Sequence, residues 1–336
     1  MAFMSAQDMM QIGGAVAGAL FNAFKNPDLP EPQLVANLVW ELPNEINKIN
    51  LAGTAKVSAG GVFVHAQPFV ACKSFPKTKP KSVEIGDLLL IRTLVEKKAV
   101  VERRALLLQA KKSDSIPATP DNKNQWHLYE QWPSFTYAIN SGLLKGKKRH
   151  IKEPDMYDAA KYLLIGQCVA PSNCRHMCCV GWPCHLLYKF HSDICCHYTA
   201  QPTKPEISRY RCFAEEIVDF LAGNAGKVFI YPPQRPRLNG WHKVIRDLID
   251  ETAKAKSVLI GRAAGVSGKK ERGNGTLSFM ISTTQSPYYL VVDGNGTANS
   301  DTTPPKVPRD WSQGDDGRGI SIIEVIVEKG ESSTLS

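Results

Sequence analysis

Residues Arg104 to Asp114 read RALLLQAKKSD: an apolar run that passes directly into a glutamine and two lysines. Side chains alternate along a strand, so Ala105, Leu107, Gln109 and Lys111 share one face and Leu106, Leu108 and Ala110 the other. A glutamine beside a lysine at the end of such a strand is either a solvated strand end or a site. What surrounds it in the chain discriminates between the two.

Just upstream, Ser82–Leu94 (SVEIGDLLLIRTL) reads as another strand, with Asp87 the single carboxylate in its apolar run after Glu84. The charged stretch Val95–Glu102 reads as the hairpin connection, and Arg103–Lys111 as the returning strand. Such a hairpin brings Asp87 beside Gln109 and Lys111. Further upstream, Gly60–Cys72 (GGVFVHAQPFVAC) reads as a strand with a break near Pro68. Before it, apolar residues at 35, 38, 39, 42, 46 and 49 predict a helix over Gln33–Asn50, with Pro43 marking a kink or a second start. Downstream, Asn124–Asn140 is aromatic-rich and mostly helical, and Lys161–Cys168 (KYLLIGQC) is a further strand. The order is helix, three strands, helix, strand.

A carboxylate, an amide oxygen and a lysine at one end of a sheet suit metal-assisted phosphodiester hydrolysis. Asp87 would hold a hard cation such as Mg2+, or Mn2+ in its place. Gln109 and the backbone carbonyl after it would add oxygens. Lys111 would position the attacking water and offset phosphate charge, while the cation acidifies the water.

Asp87 followed by QAK (Gln109, Ala110, Lys111), on the order αβββαβ, resembles the PD-(D/E)XK nuclease superfamily. The QxK variant resembles its Mrr-like restriction endonuclease branch. The resemblance covers about residues 33 to 168. It implies a restriction-endonuclease-like α/β (α+β) core, a Mg2+-dependent DNA endonuclease activity, and a role in restriction or anti-phage defence. Two departures stand out. The usual third-strand acid is Gln109, which lowers the negative charge at the metal site, and Gly86 stands where a proline often precedes the aspartate.

Many members of that superfamily add a glutamate from the first helix. At 100° per residue the apolar stripe centres near Leu42; Glu45 lies roughly 60° away and Glu41 roughly 100°. Glu45 is therefore the candidate fourth catalytic residue. Glu84, three residues before Asp87, falls on the opposite strand face by alternation and is set aside. Gln125 and Tyr129 are placed to touch a substrate backbone, while Trp126 and Trp132 read as packing residues.

The 336-residue chain has 43% hydrophobic and 22% charged residues, an ordinary globular composition, and a formal charge of +9. That balance favours a polyanionic partner, most simply DNA. The basic residues cluster at LKGKKRHIK (Leu144–Lys152), KTKPK (Lys77–Lys81) and SGKKERG (Ser267–Gly273). Lys145, Lys147, Lys148 and Arg149, with Gln125, are the candidate phosphate contacts. Such contacts give affinity without sequence reading.

Met9–Phe24 is apolar but about 16 residues long, short of the roughly 20 that a membrane span needs. Asp8 at its start would cap a short amphipathic helix that packs on the body or on a second subunit. With no signal peptide ahead of it, a cytoplasmic location and no membrane partner are expected. Two sites would also suit a homodimer, since cutting two strands is easiest with two.

Eight of the nine cysteines lie between Cys168 and Cys212, interleaved with His176, His185, His191 and His197. Thiolate and imidazole donors suit zinc, and Cys174, Cys178, Cys184 and His185 are the candidate set for a structural Zn2+. The spacing is irregular, with no CxxC pair, and matches no four-cysteine iron–sulfur pattern; free thiols are the alternative. Cys72 stands alone and reads as core.

The chain divides into an N-terminal helix and linker (1–32), the nuclease-like core (33–168), a Cys/His-rich segment (169–210) and a C-terminal α+β region (211–336). In the last, Arg211–Ala222 and Gly240–Ala255 read as helices. Thr276–Thr284, Tyr288–Asp293 and Gly319–Glu328 read as strands. Besides a DNA endonuclease, two readings remain open. One is a non-catalytic nucleic-acid-binding or interaction protein with a degenerate site. The other is a zinc-binding module centred on the cysteines.

Overall fold

The structure is a computed structural model that describes residues 4–52, 55–64, 68–113, 116–138, 143–152, 156–166, 197–231, 240–260, 278–282, 286–292 and 319–330. It is a mixed α/β protein. The helices are α1 (Ala6–Phe24), α2 (Glu31–Ile46), α3 (Lys123–Gln131), α4 (Phe213–Ala222) and α5 (Gly240–Ile260). The strands are β1 (Ala55–Val64), β2 (Phe69–Ala71), β3 (Val83–Glu84), β4 (Leu88–Glu96), β5 (Ala99–Lys112), β6 (Phe135–Tyr137) and β7 (Lys148–Arg149). They continue with β8 (Ala160–Ile165), β9 (His197–Thr203), β10 (Glu206–Cys212), β11 (Lys227–Val228), β12 (Ser278–Ser282) and β13 (Ser321–Lys329).

The central sheet runs β10-β9-β8-β5-β4-β13-β1-β12, with β11 also on β5, and a separate small sheet runs β3-β2-β6-β7. The hairpin at its heart forms as the alternation requires. β4 and β5 pair antiparallel from Leu88↔Leu108 to Glu96↔Ala99. Its two-residue turn, Lys97 and Lys98, has both φ positive (49° and 62°), the twist that a tight hairpin favours. After β5 the chain crosses over through α3 and returns as β8, parallel to β5. Leu106, Leu108 and Ala110 enter the core beneath α1, α2 and α4, whereas Ala105 and Leu107 enter the core beneath α3, α5 and the small sheet.

The last strand takes a central place. β13 lies between β4 and β1, parallel to β4 from Ser321↔Leu88 to Lys329↔Glu96 and antiparallel to β1. The sheet thus draws on both the 33–168 and the 211–336 segments. Ile322, Ile323, Val325, Ile326 and Val327 are all buried, as in a strand covered on both faces.

Several local expectations change. The strand read over Gly60–Cys72 divides at the break near Pro68: β1 joins the central sheet and β2 the small one. The helix read over Asn124–Asn140 ends at Gln131, because Trp132 turns left-handed (φ 43°), and β6 follows. Within the stretch read as a strand at Tyr288–Asp293, the described residues make no ladder; the N–H groups of Leu290 and Val291 donate instead to the buried carboxylate of Glu324. Cys72 is half-buried and packs against the edge of the core beneath the small sheet, beside Ser74. Helix α1 is capped by Ser5, with Asp8 closing the reciprocal capping box. It packs on α2 and α4. Helix α2 passes through Pro43 and ends at Ile46. Among the described residues, no helix is long and apolar enough to cross a membrane.

Helix α4 is fixed to the sheet by two buried cations. The Arg92 guanidinium donates to the Leu221 carbonyl (2.7 Å) near the helix C-terminus and to Glu102 (2.8 Å). Lys161 of β8 pairs with the buried Glu216 at 2.6 Å, and Thr199 donates to the same carboxylate.

Candidate active site at the end of the central hairpin

Asp87 sits one residue before β4, where its N–H donates to the Leu108 carbonyl at 2.8 Å. That ladder bond aims its side chain across to β5. One carboxylate oxygen, Oδ2, accepts from the Ala110 N–H (2.7 Å) and from Gln109 Nε2. Gln109 is fully buried, and its Oε1 accepts from Gln125 Nε2 at 2.6 Å. Gln125 stands in the first turn of α3, whose N-cap Asn122 accepts from the N–H groups of Asn124 and Gln125. Tyr129, one turn on, donates to the Ile85 carbonyl at 2.9 Å.

The close fit around Asp87 accounts for Gly86. A Cβ there would lie 2.7 Å from Leu107 Cδ1 and 3.2 Å from the Tyr129 hydroxyl. Alanine or proline would have to displace buried neighbours, so the absent proline has a steric reason.

Lys111 reaches round the sheet end to α2. Its ammonium lies 3.4 Å from Glu31 Oε1, while Glu31 Oε2 accepts from the Lys112 N–H at 3.1 Å. The α2 glutamate that meets Lys111 is Glu31, the helix's first residue, and not Glu45. Glu45 pairs with Lys48 at 2.6 Å. It is fourteen residues along α2 from Glu31, about 21 Å along the axis. The sequence NPDLPEP, read as linker, contains the helix start; proline in the first turn was its signal.

The electrostatics tie these groups together. Burial, then the like charges of Glu84 and Glu31, holds the Asp87 carboxyl well above the usual carboxylate range; Lys111 and the Ala110 N–H pull the other way. Burial likewise raises Glu31, against the pull of Lys111. Burial is the largest single effect on Lys111 and lowers it. Glu31, Asp87 and Glu84 together outweigh it, so the ammonium is held above its ordinary value. Glu84 thus belongs to the site electrostatically. Strand alternation does not place it opposite Asp87, because the chain bends between β3 and β4.

A small open cleft adjoins these residues, beyond the C-terminal ends of the parallel strands β5 and β8. Lys111, Lys112, Asp121, Asn122, Gln125 and Tyr162 help line it.

Of the residues singled out in the sequence, Asp87, Gln109, Lys111 and Gln125 meet here. Lys145, Lys147 and Lys148 are exposed on the small sheet. Arg149 is not open to a phosphate: its Nε and Nη2 grip the buried Asp247 at 2.6 and 2.9 Å. Cys174, Cys178, Cys184 and His185 lie outside the described residues, as do Ser267–Gly273. Among the described residues, no group of three or more His, Cys, Asp or Glu is arranged to hold a metal ion.

Mg2+ keeps several waters and takes only one or two protein carboxylates, with substrate phosphate completing its shell. Asp87, buried among like charges that a cation would offset, suits that role. The amide oxygen of Gln109 does not face it: the oxygen is held by Gln125, and the NH2 group meets Asp87.

No protein-family model matches this chain, and no curated protein or solved structure is significantly similar to it.

Proposed function

We propose that this protein is a Mg2+-dependent nuclease hydrolysing phosphodiesters in DNA, on a restriction-endonuclease-like core formed by α2, β1, β4, β5, α3 and β8. The observation that carries this reading is the meeting of Asp87, Gln109 and Lys111 at one end of the β4–β5 hairpin, with Glu31 against Lys111. The helix–strand order and the parallel return of β8 beside β5 support the core. The core departs from a simple αβββαβ unit in one respect: β13 separates β1 from β4.

Asp87 would hold the cation. When bound, Mg2+ supplies Lewis acidity toward the phosphate and a more acidic water. The chain's own residues do the rest. Lys111, kept charged by three carboxylates, balances the scissile phosphate and orients the water by donating a hydrogen bond to it. Glu31 holds the Lys111 ammonium in place from the α2 side. Gln109 steadies the Asp87 carboxylate by donating to Oδ2, the oxygen that the Ala110 N–H also engages.

A second reading, a nucleic-acid-binding protein that does not cleave, is favoured by one feature: the amide oxygen of Gln109 is engaged by Gln125. The two part in one assay. Supercoiled plasmid is incubated with purified protein in Mg2+, in Mn2+ and in chelator, beside Lys111→Ala. Metal-dependent nicking lost in the variant supports the nuclease. Plasmid binding without nicking under any condition supports the second reading.

A further inference from the structure

The segments that form the small sheet carry most of the chain's net charge. Residues 69–84 and 135–149, which hold the strands and loops of the small sheet, carry eight Lys and Arg against Glu84 alone. That is seven of the nine net positive charges of the chain. Lys73, Lys77, Lys79 and Lys81 lie in the β2–β3 loop at one end of the small sheet, and Lys145, Lys147 and Lys148 in the β6–β7 hairpin, whose turn is at the other end; all seven are exposed. Among the described residues, none of the seven has an ion-pair partner.

Both basic loops are anchored from below by buried polar groups. Asn124, fully buried in α3, accepts from the Lys77 N–H (2.9 Å) and donates to the carbonyls of Lys77 (2.9 Å) and Pro80 (2.8 Å). A buried amide satisfied wholly by one loop fixes that loop's backbone. The hairpin is held by the buried α5 acids: Asp247 grips Arg149, and Glu251 accepts from the Leu143 N–H. The lysines thus project from fixed backbones, which lowers the ordering cost of engaging a partner. The first turn of α3 also links this surface to the candidate active site, since Asn124 holds the lysine loop and the adjacent Gln125 holds Gln109.

We propose that the small sheet is a preorganised docking surface for the phosphate backbone of duplex nucleic acid, with the lysines of both loops as its contacts. Ammonium groups on fixed loops at both ends of one small sheet suit an extended polyanion whose charges recur along its length. The proposal rests on the reading of this protein as one that acts on nucleic acid. It does not require the site at Asp87 to be catalytic.

The test is fluorescence anisotropy of the full chain with labelled DNA and RNA duplexes, in chelator, across a NaCl series. Three triple variants are compared with wild type: Lys77, Lys79 and Lys81→Gln; Lys145, Lys147 and Lys148→Gln; and, as control, Lys56, Lys97 and Lys98→Gln. Each neutralised phosphate contact contributes about 0.9 to the slope of log K against log salt on duplex DNA. The first two variants should each reduce that slope by about 2 to 3 and weaken binding about tenfold or more, with the control unchanged and all melting alike. Equal behaviour of the three variants, or binding to anionic vesicles without binding to either duplex, overturns the proposal. The DNA and RNA arms show which duplex is preferred. Lys111→Ala, run alongside, keeps the two readings apart: duplex binding without any metal-dependent nicking sustains the surface and removes the nuclease, and nicking insensitive to either lysine triple does the reverse.

Discussion

Gln125 donates its amide N–H to Gln109 Oε1 at 2.6 Å, and this bond decides which end of the Gln109 amide meets Asp87. With its oxygen engaged, Gln109 presents NH2 to the carboxylate and acts there as a donor. Gln109→Glu would set a second carboxylate beside Asp87 in a buried site, where the two cannot both ionise cheaply. The variant should lose about 3 kcal/mol of stability at pH 8 in chelator, the scale of an uncompensated buried charge. It should recover at pH 6, or at pH 8 with Mg2+. Urea unfolding under the three conditions checks this; equal stability in all of them would mean the pair is solvated.

Asp87 itself should be costly to stability. Its folded-state carboxyl is raised well above its unfolded value by burial, by Glu84 and by Glu31. A raised carboxyl binds its proton more tightly in the folded state, so folding gains stability as pH falls toward the unfolded value and loses it above the folded one. Asp87→Asn keeps an oxygen for the Ala110 N–H and removes the charge. It should therefore be more stable than wild type at pH 8, by about 1 kcal/mol or more, with the gap closing toward pH 4. Nicking by the variant should vanish. Denaturant midpoints at the two pH values decide it, and a variant less stable at pH 8 would contradict the assigned charge state.

How far the sequence reached depended on the range of the interaction. The β4–β5 hairpin is local, and alternation sorted Leu106, Leu108 and Ala110 from Ala105 and Leu107 onto opposite faces. The meeting of Asp87 with Gln109 followed from it. Glu31 did not, because helical-wheel arithmetic gives a direction around α2 but not which end of the helix meets β5. Glu84 was set aside by a rule that holds only within a continuous strand. Arg149 looked like part of a basic loop until Asp247, 98 residues away, took its guanidinium. The central place of β13 rests on pairing with partners more than 200 residues distant. One local mark was present in SIIEVIVEK, a near-continuous apolar run of the kind buried on both faces.

Glu31 and Glu45 make a direct comparison on the same helix. Removing the Glu31 charge takes away the largest of the attractions that offset burial at Lys111, leaving only Asp87 and Glu84 against it. In Glu31→Gln the ammonium should deprotonate at lower pH, moving the alkaline limb of the nicking profile to lower pH. Glu45→Gln, changing a pair with Lys48 and a repulsion with Glu41 far from Lys111 on α2, should leave the profile in place. Rates for wild type and both variants, followed on the alkaline side to about pH 11, separate the two glutamates; matching profiles would remove Glu31 from the site.

The last strand should be indispensable to the fold. β13 is bonded on both sides, to β4 and to β1, and among the described residues no other strand links those two. Its five buried Ile and Val side chains contribute about 1.5–3 kcal/mol each, together comparable with the whole stability of a domain. A chain ending at Arg318 should therefore lack a cooperative thermal transition, whereas one ending at Gly330 should melt like the full chain. Ile323→Ala, a milder change in the same strand, should cost about 2–5 kcal/mol in denaturant. Because the β4–β13 pairing is parallel and joins distant segments, it should form late, so Ile323→Ala should act mainly by speeding unfolding. Circular dichroism melts of the two truncations and stopped-flow kinetics of the point variant provide the measurements. A cooperative transition in the shorter chain would show that β1 and β4 can close the sheet without it.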